Sequence, residues 1–241
     1  MGSGAEAPLG VLGLGLLFGI KHATDADHIV AVSTIVSEQG SLRRALWIGG
    51  LWGAGHTISI VIAGTLVLGL HLVIPGPVAR ALELGVALMI IALGGAALSR
   101  ALAGRPDTHV HPHAHGSVLH VHLHFHGPSD AHPIGAPGAH EVHRLGRMGI
   151  KPLLVGLMHG LAGSATLTLL VLAHIQSTAL GLLYLFVFGL GSIGGMAMIS
   201  VAIGLPFAVT AVSPSLNRGI RVATGALSLF FGVAYAWSQL A

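Results

Sequence analysis

The chain has 241 residues, of which 53% are hydrophobic and only 8% are charged. Soluble domains are roughly a quarter charged, so this composition excludes an ordinary water-soluble fold, and a formal net charge of +3 is too small to indicate nucleic-acid binding. The absence of cysteine excludes disulfides, thiolate metal sites and cysteine nucleophiles, whereas 17 histidines outnumber every charged residue type.

The first apolar segment opens a series of predicted membrane helices. It runs from Pro8 to Ile20, follows Glu6 rather than basic residues, and leads into a charged cluster. We therefore expect the first half of a transmembrane helix here and not a cleavable signal peptide. Six stretches reach the length of about 20 residues that a helix needs to cross a bilayer. They lie near 8–36, 45–74, 79–103, 151–175, 178–210 and 218–240.

These spans divide the chain into three parts. Residues 1–103 form a first three-helix unit, 104–150 a histidine-rich loop, and 151–241 a second three-helix unit. The predicted fold class is all-α: a polytopic protein with six transmembrane helices in the lipid bilayer.

A polar cluster interrupts the first span. It contains His22, Asp25, Asp27 and His28, directly after Lys21. One Asp at the centre of a membrane helix costs about 2.5–3.5 kcal/mol on insertion scales, so this cluster needs a compensating partner. Carboxylate and neutral imidazole suit nickel, cobalt, zinc or manganese. The alternative is a membrane-boundary cap, but apolar sequence continues on both sides of the cluster.

Helical geometry limits how this cluster could bind one ion. In a helix, His22, Asp25 and His28 follow one another at i, i+3 steps, whereas Asp27 points well away from Asp25. Either the helix unwinds here, as transporter helices often do at their sites, or Asp27 orients a ligand without touching the ion.

Two further histidines, His56 and His159, are expected deep in the membrane. A lone buried histidine is more often a hydrogen-bonded packing residue than a ligand. His159, however, lies in a stretch of the fourth span, Gly156-Leu157-Met158-His159, that is similar to Gly19-Ile20-Lys21-His22 in the first span. A second similarity links the second span with the fifth: Gly50-Leu51 and Gly55 are similar to Gly189-Leu190 and Gly194. These similarities predict two repeats of three helices each, and an odd number of helices forces the two copies into opposite orientations in the membrane. Inverted repeats of this kind are a transporter architecture, with the substrate site at the repeat interface. Chance similarity among Gly/Leu-rich helices is the alternative.

The loop between the third and fourth spans carries alternating histidines. Alternation places such residues on one side of an extended chain, and histidine tracts of this kind bind divalent metals. The Pro and Gly content argues against a stable packed structure unless metal or a partner orders it, and a solvated linker of biased composition is the alternative. The candidate secondary metal ligands are His109, His111, His113, His115, His120, His122, His124 and His126.

Basic residues predict the membrane topology. Nine flank three loops that fall on one side of a six-helix arrangement, and Arg80 alone falls on the other. By the positive-inside rule, both termini face outward and the histidine loop is cytoplasmic, as in a multi-pass protein of the cell inner membrane. The nine are Arg43, Arg44, Arg100, Arg105, Arg144, Arg147, Lys151, Arg218 and Arg221.

The segment from His22 to Ile29 closely resembles the H-x4-D-H signature of the nickel/cobalt transporter family (NiCoT), with His22, Asp27 and His28 at its fixed positions. Gly55-His56-Thr57 resembles that family's Gly-His-Ser motif. The stretch from Phe188 to Met196 lacks the family's Asp-rich pattern, so the chain looks more like the shorter six-helix members associated with urease accessory genes. The resemblance implies nickel or cobalt as transported substrate and no cofactor, with a cytoplasmic metallochaperone as a partner.

Other functions fit the sequence less well. Gly163-Ser164 could mimic the nucleophile of a rhomboid-type protease, but residues 218–241 contain no histidine to act as its base. No H-E-x-x-H or Walker A motif is present, so we predict that the chain is not an enzyme. Uptake into the cytoplasm is the favoured function of the carrier. Efflux with a metal-sensing histidine loop, and a membrane metal sensor, are the alternatives.

Overall fold

The computed structural model describes residues 3–70, 75–103, 108–115, 118–125, 145–162 and 177–241. Within them, seven α-helices and one pair of β-strands follow one another, with a short 3-10 turn at Thr210–Val212. The elements are α1 (Ser3–His22), α2 (Ala26–Val36), α3 (Leu42–Leu70), α4 (Gly76–Leu102), β1 (Thr108–His115), β2 (Val118–Phe125), α5 (Leu145–Gly160), α6 (Thr178–Val209) and α7 (Pro214–Leu240).

The lengths of these helices are those of a polytopic membrane protein. Four are long and apolar enough to cross a bilayer, namely α3, α4, α6 and α7. The first predicted span, 8–36, is divided into two shorter apolar helices, α1 and α2. The fourth, 151–175, coincides with α5 as far as Gly160, and residues 163–176 lie outside the described residues.

The break between α1 and α2 occurs within the polar cluster. The backbone N–H groups of Thr24 and Asp25 donate to carbonyls three residues earlier, at 2.9 and 3.1 Å. Hydrogen bonds of this spacing are those of a 3-10 turn, with which α1 ends. Asp25 is extended, with φ −64° and ψ 145°, and its carbonyl accepts the first bond of α2 from Ile29. Aspartate is a preferred residue at such a helix start. Of the two geometries that the sequence left open, the structure has the broken helix.

Close helix contacts surround this break. Helix α1 packs along α6, α5 packs along α3, α3 and α6 pack on each other, and α4 packs on α7. A methyl group at Gly19 of α1 would overlap the carbonyl of Phe188 in α6. Likewise, a methyl group at Gly156 of α5 would overlap the carbonyl of Trp52 in α3. Small residues thus let the helix backbones meet, as in other membrane helix pairs.

A second set of glycine contacts has the same form. Gly191 of α6 faces the carbonyl of Leu16 in α1, and Gly55 of α3 faces the carbonyl of Leu153 in α5. Gly50 and Gly194, which the sequence comparison of the two halves also used, face open space. Gly55 and Gly191 thus both meet a carbonyl of the neighbouring helix, whereas Gly194 does not.

The histidine insert contains an antiparallel β-hairpin, so the all-α prediction is wrong for this segment. Alternation of polar and apolar residues has the period of a strand, and here it outweighs the Pro and Gly content that argued against regular structure.

Candidate metal site

The helix break places His22 at the end of α1 and His28 in the first turn of α2. His22 Nδ1 lies 2.8 Å from Asp25 Oδ2, and His28 Nδ1 lies 3.1 Å from Asp27 Oδ1. A carboxylate only accepts hydrogen bonds, so both imidazoles donate through Nδ1. Each carboxylate therefore fixes the tautomer of a neighbouring histidine and leaves its Nε2 as a lone pair.

Asp27 also joins the two halves of the chain. Its second oxygen, Oδ2, accepts a hydrogen bond from His159 Nε2 of α5 at 2.7 Å. The tautomer that donates through Nε2 leaves His159 Nδ1 as a lone pair. One carboxylate thus orients His28 and His159, which are 131 residues apart in the chain.

His28 lies at the centre of four imidazole rings. Its ring centroid is 4.4 Å from that of His22, 4.9 Å from that of His56 and 4.2 Å from that of His159. His56 Nε2 lies 2.9 Å from His22 Nε2, and because His22 presents a lone pair there, His56 is the donor. A metal ion bound between these two nitrogens would replace that proton.

Three buried imidazole nitrogens of this cluster have no hydrogen-bond partner in the described part of the chain. Within the described residues, His28 Nε2, His56 Nδ1 and His159 Nδ1 are buried without a hydrogen bond. An unsatisfied buried polar atom costs about 1–3 kcal/mol, so several in one place call for a ligand. Two groups could supply three ligand atoms within 4.8 Å of one another: His22, His28 and His56, and Asp27, His28 and His159.

The site lies near the middle of the helices that form it. His56 is the central residue of the 29-residue helix α3, roughly 21 Å from either end at 1.5 Å per residue. The imidazoles of His22, His28, His56 and His159 are buried, whereas the side chains of Asp25 and Asp27 are 38% and 25% exposed. The carboxylates therefore form the open side of the site, where a cation would meet them first.

The structure brings five of the six predicted membrane ligands together. His22, Asp27, His28, His56 and His159 all belong to the two groups, and Asp25 contacts His22 without belonging to either. Of the eight loop histidines predicted as secondary ligands, seven lie on the hairpin strands, and His126 lies outside the described residues.

Sequence reasoning missed the aromatic walls of the site. Trp52 of α3 lies 5.6 Å from His159 between ring centroids, and Phe188 of α6 lies 5.6 Å from His22. Ser192 of α6 is fully buried, and its hydroxyl has no hydrogen-bond partner in the described part of the chain. Position alone could have indicated Trp52, because it precedes His56 by one helical turn.

Apolar membrane-length helices around buried imidazoles and carboxylates define an integral membrane protein with a candidate site for a divalent transition metal. The chain is 33% identical over 234 residues to the urease accessory protein UreH of Bacillus sp. (strain TB-90), which covers 95% of this chain and 92% of that protein. It belongs to the UreH family of NiCoT-type urease accessory proteins. No family model and no solved structure matches the chain.

Proposed function

We propose that this protein carries a divalent transition metal, nickel foremost with cobalt as a second substrate, across the cell inner membrane into the cytoplasm. The observation that carries the proposal is the cluster of four buried imidazoles and two carboxylates at mid-length of apolar helices. Such groups are expensive in a bilayer and mark ion pathways. A bound cation compensates that cost.

In this proposal the ion binds to His22, His28 and His56, with His159 beside them. Asp25 holds His22, and Asp27 holds His28 and His159, in the tautomers that leave a nitrogen for the metal. Carboxylate-to-histidine bonds of this kind orient ligands and raise their basicity at metal sites. Asp27 also offers an oxygen to the second group of ligands, and its exposed side gives the ion a first contact.

The packing supports two inverted three-helix repeats. The contact of Gly19 with the carbonyl of Phe188 has a counterpart in the contact of Gly156 with the carbonyl of Trp52. The ring contact between His22 and Phe188 likewise has a counterpart in the ring contact between His159 and Trp52. Reciprocal contacts of this kind arise when a two-fold axis exchanges the halves. With three helices in each half, the axis lies in the membrane plane, and substrate sites of such transporters lie on it.

In this proposal the termini lie outside and the histidine loop lies in the cytoplasm, because of the basic residues around that loop. The resemblance of the segment from His22 to Ile29 to the NiCoT signature favours uptake over efflux. We propose that metal released inside passes to a cytoplasmic metallochaperone and that the chain performs no enzymatic step. Imidazole and carboxylate alone do not distinguish nickel from cobalt. The similarity to a urease accessory protein favours nickel, because urease is a nickel enzyme.

Radiolabelled nickel flux in proteoliposomes tests the proposal. Protease accessibility of the insert gives the orientation, and cobalt and zinc serve as competitors. We expect flux toward the side that carries the insert, and its loss in His28→Ala. Ser228→Ala is the matched control, because Ser228 is also buried and hydrogen-bonded in a membrane helix but lies outside both ligand groups.

Flux only away from the insert would favour the efflux carrier instead. Equal flux in wild-type and His28→Ala vesicles would refute a route through this site.

A further inference from the structure

The β-hairpin of the insert pairs its histidines across the strands. Three rungs of the ladder place a histidine directly opposite another, and residues directly opposite in an antiparallel pair share one face. His115 shares that face but pairs with Val118. The three rungs are His109 with His124, His111 with His122, and His113 with His120.

The other face of the same hairpin is apolar. Between the histidine rungs, Val110 pairs with Leu123, and Ala114 pairs with Leu119. Pro112 pairs with Val121 between them. The backbone register therefore places histidines on one face of the hairpin and apolar residues on the other along these rungs, a pattern that a linker of biased composition has no physical reason to adopt.

Pro112 assigns the type of each rung. Antiparallel rungs alternate between hydrogen-bonded pairs, with Cα atoms about 5.5 Å apart, and non-hydrogen-bonded pairs about 4.5 Å apart. Proline has no N–H, so Pro112 with Val121 is a non-hydrogen-bonded pair. The histidine rungs on either side are then hydrogen-bonded pairs, and successive histidine rungs are about 6.8 Å apart along the strands.

We propose that this hairpin is a second metal site, separate from the one in the membrane, which binds a divalent cation of the nickel, cobalt and zinc class between neighbouring histidine rungs. Two neighbouring rungs place four histidines on one face of the hairpin, as many ligands as a tetrahedral set requires. Cα atoms about 5.5 Å apart across a rung and about 6.8 Å apart between successive rungs put these four positions close together.

The register rather than the number of histidines makes this site, and a composition-matched variant tests that. The variant exchanges neighbours on β2 through His122→Leu with Leu123→His, and His124→Phe with Phe125→His. It keeps every residue type but moves two of the three β2 histidines to the opposite face. Only the His113–His120 rung remains a pair of histidines, so no two neighbouring rungs can supply four cross-strand ligands.

The control exchanges two residues within the apolar face, Val121→Leu with Leu123→Val, and leaves every histidine in register. Both exchanges are made in full-length protein carrying His22→Ala and His28→Ala, which removes the proposed membrane site. Cobalt(II) is titrated into the purified proteins, and the visible absorption of the imidazole-bound ion is followed.

We expect one tight cobalt ion in the parent and in the control. The register exchange should weaken it by at least about a hundredfold, because losing ligands costs more than losing their hydrogen-bond partners, which is typically about 10–100-fold. Equal affinity in the parent and the register exchange would overturn the proposal, and so would an equal loss in the control. A failure of metal transport would leave this titration unchanged, so the two proposals fail separately.

Discussion

Replacing Asp27 by Asn tests whether this carboxylate orients the histidines beside it or is only a structural contact. Asp27 accepts one hydrogen bond through each oxygen, from His28 Nδ1 at 3.1 Å and from His159 Nε2 at 2.7 Å. Asparagine has nearly the same shape but only one accepting oxygen, and its amide group donates. One of the two histidines must then move its proton to its other nitrogen, which removes a lone pair that faces the metal.

The expected loss follows from this geometry. Removing a partner that orients a metal ligand typically weakens binding about 10–100-fold, or about 1.4–2.8 kcal/mol. Asp27→Asn should lie at the upper end of that range because it disturbs two histidines and removes a negative charge. Asp25→Asn is the matched control. Asp25 holds only His22, its side chain is more exposed, and the amide oxygen of Asn can still accept that single bond.

The assay is nickel titration of purified protein in which serine replaces the loop histidines, so that the insert does not bind the ion. His28→Ala sets the upper limit, because it removes the imidazole at the centre of the cluster. The expected order of losses is His28→Ala, then Asp27→Asn, then Asp25→Asn. Wild-type affinity in Asp27→Asn, or a greater loss in Asp25→Asn, would refute the tautomer argument.

Four further results are expected. Gly19→Ala should lower the free energy of unfolding in detergent by about 1–3 kcal/mol, because a methyl group there meets the Phe188 backbone, whereas Gly50→Ala faces open space. Single cysteines at Ser3 and Gln239 should be labelled from outside in intact cells, and one at Ser117 should be protected. Serine in place of the eight alternating loop histidines should reduce metal capacity and leave a folded, partly active carrier. Nickel binding should weaken at acidic pH, because protonated imidazole does not bind metal.

Each of these has a contrary outcome. Equal unfolding of Gly19→Ala and Gly50→Ala would argue against close packing of α1 on α6. Strong labelling at Ser117 with protected termini would invert the topology. Complete loss of transport at normal abundance, in the protein without loop histidines, would place the insert on the obligatory path. Nickel binding that does not weaken at any acidic pH at which the protein stays folded would exclude imidazole as the principal ligand.

The sequence by itself determined that the chain is a membrane protein, and it singled out the segment from His22 to His28 as the candidate metal site. Both conclusions rest on local properties. A helix needs a fixed length of apolar residues to cross a bilayer, and charged groups inside it are costly wherever the rest of the chain lies. The alternating histidines likewise had the period of a strand, but period alone gives no pairing partner.

Only the tertiary structure decided how these groups meet. The sequence left open whether the helix breaks, because His22 and Asp25 are i, i+3 neighbours in an unbroken helix as well. In the structure, α1 ends at His22 and Asp25 is extended. His159 reaches Asp27 across 132 residues because Gly156 lets α5 approach α3. Contacts of this kind depend on backbone separations between helices, which helical periodicity within one segment does not encode.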